Sequence, residues 1–175
     1  MSSGTDDYDS LIQPIAGALM KSVYRVLQDS HDAEDAFQEG LAKAWINLEK
    51  IRRHPNPHAL ILRIFANVAY DALRKRIRRM RREDAKPVSE SQGRSVESPP
   101  CPVDRARVLE AMARLPRRQA EVLLMRVVQE QSYEAIAKAL GCSEATARTH
   151  ALRGRAKLSE ALADMNPNTR VEVQS

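Results

Sequence analysis

Three observations predict an all-α chain built as two small helical domains joined by a flexible linker, the second containing a helix-turn-helix. Apolar residues recur at helical spacing over most of the 175 residues, and no stretch alternates as a strand would. Segment 83–103, EDAKPVSESQGRSVESPPCPV, holds four prolines, four serines and a glycine, with almost no large apolar residue. Such a stretch buries too little surface to offset its chain entropy, so it reads as a tether. Third, SYEAIAKALGCSEATARTH, residues 132–150, sets a Gly-Cys-Ser corner between two short helical patterns. The expected division is 1–82, linker 83–103, 104–165 and a disordered tail 166–175. Each unit is near the lower size limit for its own core, which favours simple helical folds.

The first helix is expected from about Asp9 to Leu27, with Leu11, Ile15, Leu19, Val23 and Leu27 spaced four apart. The second starts near Asp32 and carries the stripe Ala33, Phe37, Leu41, Ala44, Trp45 and Leu48. In the third, Asn56 caps and Pro57 suits the first helical position, where its missing N–H would be unpaired anyway. Leu60, Ile61, Ile64, Val68 and Ala72 form its buried face, and it continues into Arg74–Arg82. The second unit reads as helices at about Asp104–Arg114, Arg117–Val128, Tyr133–Leu140 and Glu144–Ala163. Ala147, Ala151, Leu158 and Leu162 supply the inward stripe of the last.

At the corner, Gly141 falls where a helix C-terminus wants a left-handed residue, and Ser143 follows as an N-cap. Two readings stand: a corner that only packs, or a turn that presents its second helix to a DNA major groove. With Ala147 and Ala151 inward, Arg148, Thr149, Leu152 and Arg155 face out. Arginine can grip guanine edges, threonine can reach bases or phosphates, and leucine can touch a thymine methyl.

Charge points the same way. The net charge is +5 and the pI about 9.5, which favours a polyanionic partner. In RKRIRRMRR, Arg74–Arg82, seven of nine residues are basic. Self-repulsion disfavours such a helix unless anions lie alongside. Phosphate contact or a solvated helix end fits; Ile77 and Met80 make too poor a membrane face. Glu34, Asp35, Gln38 and Glu39 form an acidic face on the second helix, explicable by the helix dipole or by a protein partner.

Other classes find little support. Cys101 and Cys142 lack a CxxC pairing and a histidine cluster, which argues against zinc or a disulfide framework. Cys142 is expected to fill an apolar slot in the corner. Four scattered histidines (His31, His54, His58, His150) show no catalytic or metal spacing, and no phosphate-binding glycine loop is present. No enzyme activity, cofactor or metal is expected. No apolar run approaches a membrane span and MSSGTDDYDS has no signal-peptide pattern, so a soluble cytoplasmic protein without direct membrane contact is expected.

Three segments, in order, resemble a bacterial extracytoplasmic-function (ECF) sigma factor. DAEDAFQEGLAKAWINL, residues 32–48, is similar to region 2.2 of that family. ILRIFANVAYDALRKRIRR, residues 61–79, is similar to regions 2.3 and 2.4, with Asn67 and Asp71 in the expected places. Residues 109–158 are similar to region 4. The resemblance implies that Asp35, Gln38 and Glu39 dock on the β′ clamp helices of core RNA polymerase. It implies a −10 element site made from the loop residues Arg52, Arg53, His54, Asn56 and His58 with Asn67, Arg74 and Arg78. It assigns the −35 element to Ser143, Thr146, Arg148, Thr149, Leu152 and Arg155, with this unit resting on the β flap. Promoter DNA and an anti-sigma factor are the further implied partners, and the free protein is expected to be a monomer. Leu60, Ile61 and Leu62 depart from the family, which often has Trp-Leu-Tyr there; His150 replaces a common basic residue, and Ala151 and Gly154 are smaller than usual in the family, which implies looser packing beneath the last helix. A helix-turn-helix regulator acting without polymerase and a sigma mimic that sequesters an anti-sigma factor are the alternatives.

Overall fold

The computed structural model describes residues 3–84 and 102–163; side chains are described for 7–82 and 105–163. Most of the expected tether and the tail 166–175 lie outside those residues, as does Cys101. The described residues form helices α1 (Ser3–Ile12), α2 (Ala16–Leu27), α3 (Ser30–Ile46), α4 (Leu48–Arg52) and α5 (Pro57–Asp84). The second unit follows with α6 (Pro102–Arg114), α7 (Arg117–Leu123), α8 (Tyr133–Leu140) and α9 (Glu144–Ala161). No strand occurs among the described residues.

Where the periodicity placed one helix over 9–27, the chain makes two, separated by a short 3-10 turn at Gln13–Ile15. Pro14 is the cause: its ring and missing N–H disrupt the helical ladder. Helix α3 begins at Ser30, slightly before the expected start near Asp32, and Asp29 caps it, its carboxylate accepting the Asp32 N–H at 2.9 Å. That hydrogen bond holds the Asp29 carboxyl below its ordinary pKa. The expected α3 stripe holds at Ala33 and Ala44, while Ala36 and Gly40 complete it. Trp45 instead stands 48% exposed, with Tyr8 packed edge-on at 5.2 Å. Gly40 is buried because the Phe65 ring lies where its Cβ would be, 2.5 Å from that position.

Helix α5 organises the first unit. The Asn56 side chain accepts the Ala59 N–H at 3.0 Å, the cap that the sequence predicts. Twenty-eight residues follow, about 42 Å at helical rise. Ile61, Phe65, Val68, Ala69 and Leu73 are buried along it, and α2 and α3 cover this face. Leu60 and Ile61 are likewise buried, so aliphatic side chains fill the place where aromatics are common. The helix reaches Asp84 and α6 begins at Pro102, so helical structure intrudes on both ends of the expected linker.

In the second unit, the helix expected over 117–128 turns π-helical at Leu124–Val128. There the Gln129 N–H bonds Leu124 five residues back, at 3.1 Å. Gly141 has φ +66°, and Ser143 Oγ accepts the Thr146 N–H at 3.1 Å, so the corner has the geometry its residues predict. Cys142 is half-buried against the core. Gly154 contradicts the expectation of looseness. A Cβ there would meet Leu123 Cδ1 at 2.8 Å and Gln119 Cβ at 3.3 Å, so α9 and α7 are in close contact.

Two predictions follow from this packing. Gly40→Ala lowers stability by roughly 1–3 kcal/mol, the usual cost of overpacking a filled core, whereas Gly17→Ala, with open space at its Cβ, leaves stability unchanged or raises it. Urea unfolding of both variants measures the contrast. Asp29 contributes stability above the ordinary carboxylate pKa that is lost as pH falls through its lowered folded value. Asp29→Asn, which still caps but carries no charge, should flatten the acid limb of the stability profile.

Candidate nucleic-acid and polymerase interface

The recognition-type helix α9 turns Ala147, Ala151 and Gly154 inward. Arg148, Thr149, Leu152 and Arg155 face outward, with Leu152 70% exposed. Ser143 and Thr146 sit at its N-terminus with their hydroxyls 2.8 Å apart.

Arg148 is held before any partner arrives. Its Nε donates to Glu144 at 3.1 Å, and its guanidinium lies 4.7 Å over the Tyr133 ring. Arg126 approaches the same ring at 5.2 Å. Cation–π contact and the ion pair together restrict a side chain that otherwise samples many rotamers. The residue-by-residue reading missed Tyr133 in this role. The available signal was its position as the first residue of α8, with a long cation on the facing helix.

The acidic face of α3 is intact. Glu34, Asp35, Gln38 and Glu39 are all exposed. Glu39 pairs with Lys43 at 2.6 Å on the same helix, and Asp35 lies 3.8 Å from His31. Exposed pairs of this kind contribute little and exchange easily for a partner's cations. Trp45 and Ile46 extend the face with exposed apolar surface.

The loop between α4 and α5 is only partly free. Arg53, His58 and Pro55 are exposed. Arg52 forms an ion pair with Asp7 at 3.0 Å, and Asn56 is spent on its cap. His54 Nε2 lies 3.1 Å from the Lys138 carbonyl of α8. Its Nδ1 lies 2.8 Å from the Asn56 carbonyl oxygen and 3.1 Å from the Asn56 backbone nitrogen. Along α5, Arg74 and Arg78 are exposed, Arg74 lying 5.7 Å over the Tyr70 ring. Arg76 turns inward instead, donating to the Leu27 carbonyl at the end of α2 at 2.6 Å. Asn67 is half-buried, and its side-chain oxygen is buried without a hydrogen-bond partner.

Between the units runs a groove of about 310 Å³ lined by α2, α5, α6, α7 and α9. Its floor is apolar (Val108, Met112, Leu124) and Arg25, Arg105 and Arg155 stand at its edge. Among the described residues, no group of three or more histidines, cysteines or carboxylates could hold a metal, and no helix is long and apolar enough to cross a membrane.

Comparison with known proteins decides the family. The family model "Sigma-70 region 2" matches residues 11–79 and "Sigma-70, region 4" matches 105–158. RNA polymerase sigma-E factor of Streptomyces antibioticus is 26% identical over 156 residues, spanning 89% of this chain and 84% of that protein. ECF RNA polymerase sigma factor EcfG of Rhodopseudomonas palustris is 29% identical over 133 residues, 74% of this chain and 71% of that protein. The chain belongs to the ECF branch of the sigma-70 family. The fold of this sigma factor is similar to that of the sigma factor RpoE in a co-crystal with the anti-sigma factor NepR from Bartonella quintana. That match has a TM-score of 0.55 and 24% identity, covering 90% of this chain and 97% of the other. CnrH in complex with the cytosolic domain of CnrY gives a TM-score of 0.56 at 23% identity, covering 91% and 89%.

The close contact beneath α9 makes a prediction. Gly154→Ala forces α9 away from α7 and lowers stability by roughly 1–3 kcal/mol, the usual cost of overpacking a filled site. Thermal melts of the variant beside the wild type check it.

Proposed function

We propose that this sigma factor is a promoter-specificity subunit that acts by binding core RNA polymerase and reading two promoter elements. The acidic face Asp35, Gln38 and Glu39 docks on the β′ clamp helices. The loop residues Arg52, Arg53, His54, Asn56 and His58, with Asn67, Arg74 and Arg78, serve the −10 element. Ser143, Thr146, Arg148, Thr149, Leu152 and Arg155 serve the −35 element, and the second unit rests on the β flap. The observation that carries this reading is the outward row on α9, where a pre-oriented arginine and a bare leucine lie beside a capped helix N-terminus. Free N–H groups at that terminus suit a phosphate, and the side chains behind it suit base edges.

Binding is the whole task of these residues, so the reading needs no catalytic group. Once one element is engaged, the tether makes capture of the other an intramolecular step. An anti-sigma factor is the proposed regulator. The apolar groove edged by Arg25, Arg105 and Arg155 suits an amphipathic helix with acidic flanks, which would hold both units at once.

Run-off transcription with sigma-free bacterial core polymerase and a promoter library tests this function. The full chain should co-elute with core and yield transcripts sharing a two-element motif. Arg148→Ala should cost about 1–3 kcal/mol at one −35 position and relax its specificity. Arg74→Ala with Arg78→Ala should weaken all promoters alike and reduce the salt slope by about 1 per lost phosphate contact. DNA binding without polymerase association would instead identify an operator-binding regulator.

A further inference from the structure

We propose that Glu144 and Tyr133 are positioning residues that commit Arg148 to the edge of one guanine in the −35 element and keep it off the DNA phosphates. The proposal rests on the −35 role given above to the outward row of α9. It adds the base which that row reads through Arg148, and the two side chains, neither of them a DNA contact, that make the reading possible.

A guanidinium is a flat cation whose N–H donors form two forks, one along its side through Nε and one at its end through the two Nη atoms. Glu144 occupies the side fork of Arg148: Nε and Nη2 donate to the same carboxylate oxygen at 3.1 and 2.5 Å. The end fork stays open on a side chain that is 60% exposed. Guanine O6 and N7 are two adjacent acceptors in the major groove, and an end fork matches them. The Tyr133 ring lies under the guanidinium, its centre 4.7 Å from Arg148 Cζ. The carboxylate therefore fixes which edge of the cation faces outward, and the ring limits its tilt.

Both supports are themselves anchored. Glu144 is the first residue of α9, directly behind the Ser143 cap. Tyr133 is the first residue of α8, behind the matching Ser132 cap, whose Oγ accepts the Ala135 N–H at 3.1 Å. The Tyr133 ring is half-buried against the core. It also receives Arg126, which donates to the Gln131 carbonyl at 3.0 Å. Each helix of the corner contributes one support, and the left-handed turn at Gly141 sets the distance between them. Arg153 and Arg155 differ: both are exposed on α9, and no described residue pairs with either.

An unrestrained arginine beside DNA turns to the nearest phosphate, because that attraction acts whatever the sequence. Glu144 opposes the turn in two ways. It fills the side fork, and it balances the charge that a phosphate would attract. The base edge then remains as the partner for the end fork, where two aligned hydrogen bonds compensate for lost hydration. An exposed ion pair on one helix contributes little to folding, so the effect of this one falls on recognition. Specificity is a difference of affinities, and a group that weakens the wrong contact raises it. Arg153 and Arg155, without such a partner, are left to the phosphates.

Holoenzyme reconstituted from the full chain and core polymerase, titrated with promoter duplexes carrying each base in turn across the −35 element, tests the proposal. One position should prefer guanine by roughly tenfold or more, and Arg148→Ala should abolish that preference. Glu144→Gln should cut the same preference several-fold yet raise affinity for every duplex. Its salt slope should steepen by about 0.9 as Arg148 gains a phosphate. Tyr133→Leu should cut the preference about two- to fivefold, the worth of an exposed cation–π contact, whereas Tyr133→Phe keeps the ring and the preference. In an Arg148→Ala background neither Glu144→Gln nor Tyr133→Leu should alter any preference, since both act through Arg148. A purely structural role would lower affinity for all duplexes and leave base preference and salt slope as they were. Glu144→Gln with unchanged preference and salt slope, or an effect on preference that persists without Arg148, would overturn the proposal. An Arg148→Ala chain that keeps every −35 preference would overturn the −35 assignment itself, and the proposal with it.

Discussion

Everything in this molecule depends on α5 being one uninterrupted helix. One face buries Ile61, Phe65, Val68 and Leu73 against α2 and α3 and makes the core of the first unit. The adjoining face carries Arg63, Asn67 and Asp71 toward the second unit. Its last turns present the arginine-rich surface. A kink anywhere would separate these three roles, because each residue's direction is fixed by the 3.6-residue period. The Asn56 cap and Pro57 start that helix in the right phase. The apolar burial along its first half offsets the self-repulsion of the charged second half, which is eased further by Arg76 against the end of α2 and Arg81 against Glu110.

Close packing of small residues sets the second geometric constraint. Gly40 admits the Phe65 ring, and Gly154 admits Leu123. Both are places where two helices approach too closely for a methyl group. The first fixes α3, and so the acidic face, relative to α5. The second fixes α9 relative to α7, and so the outward row that Tyr133 and Glu144 finish orienting through Arg148. The core beneath them therefore keeps the acidic face of α3 apart from the basic faces of α5 and α9.

The helices and the corner were legible because they depend on local chemistry. Gly141, Ser143, Asn56 and Pro57 each satisfy a backbone requirement that a single residue type reveals. The break at Pro14 was legible too, but the four-residue apolar spacing across it masked the signal. Trp45 and Gly154 misled for a different reason. Burial depends on what lies opposite, and neither Tyr8 nor Leu123 is near in sequence. The contact between the units was invisible for the same reason: Tyr70, Asp71 and Gln129 look like ordinary helix and loop residues until α5 meets α6, α7 and the segment before α8. Within the candidate site, the exposed row on α9 and the acidic face on α3 could be read from periodicity alone. The engagement of His54 could not, since the Lys138 carbonyl beside it comes from the other unit.

The central claim is that one chain reads two separated DNA elements from the surface of polymerase, and site-directed photo-crosslinking tests it most directly. A cross-linker at His58 and another at Leu152, both exposed, would be activated in complexes of the full chain, core polymerase and promoter duplex. The account predicts adducts in two separate blocks upstream of the start site, from position 58 in the nearer and from position 152 in the farther. Adducts from both positions in one continuous block, or from position 152 only and with polymerase dispensable, would contradict it.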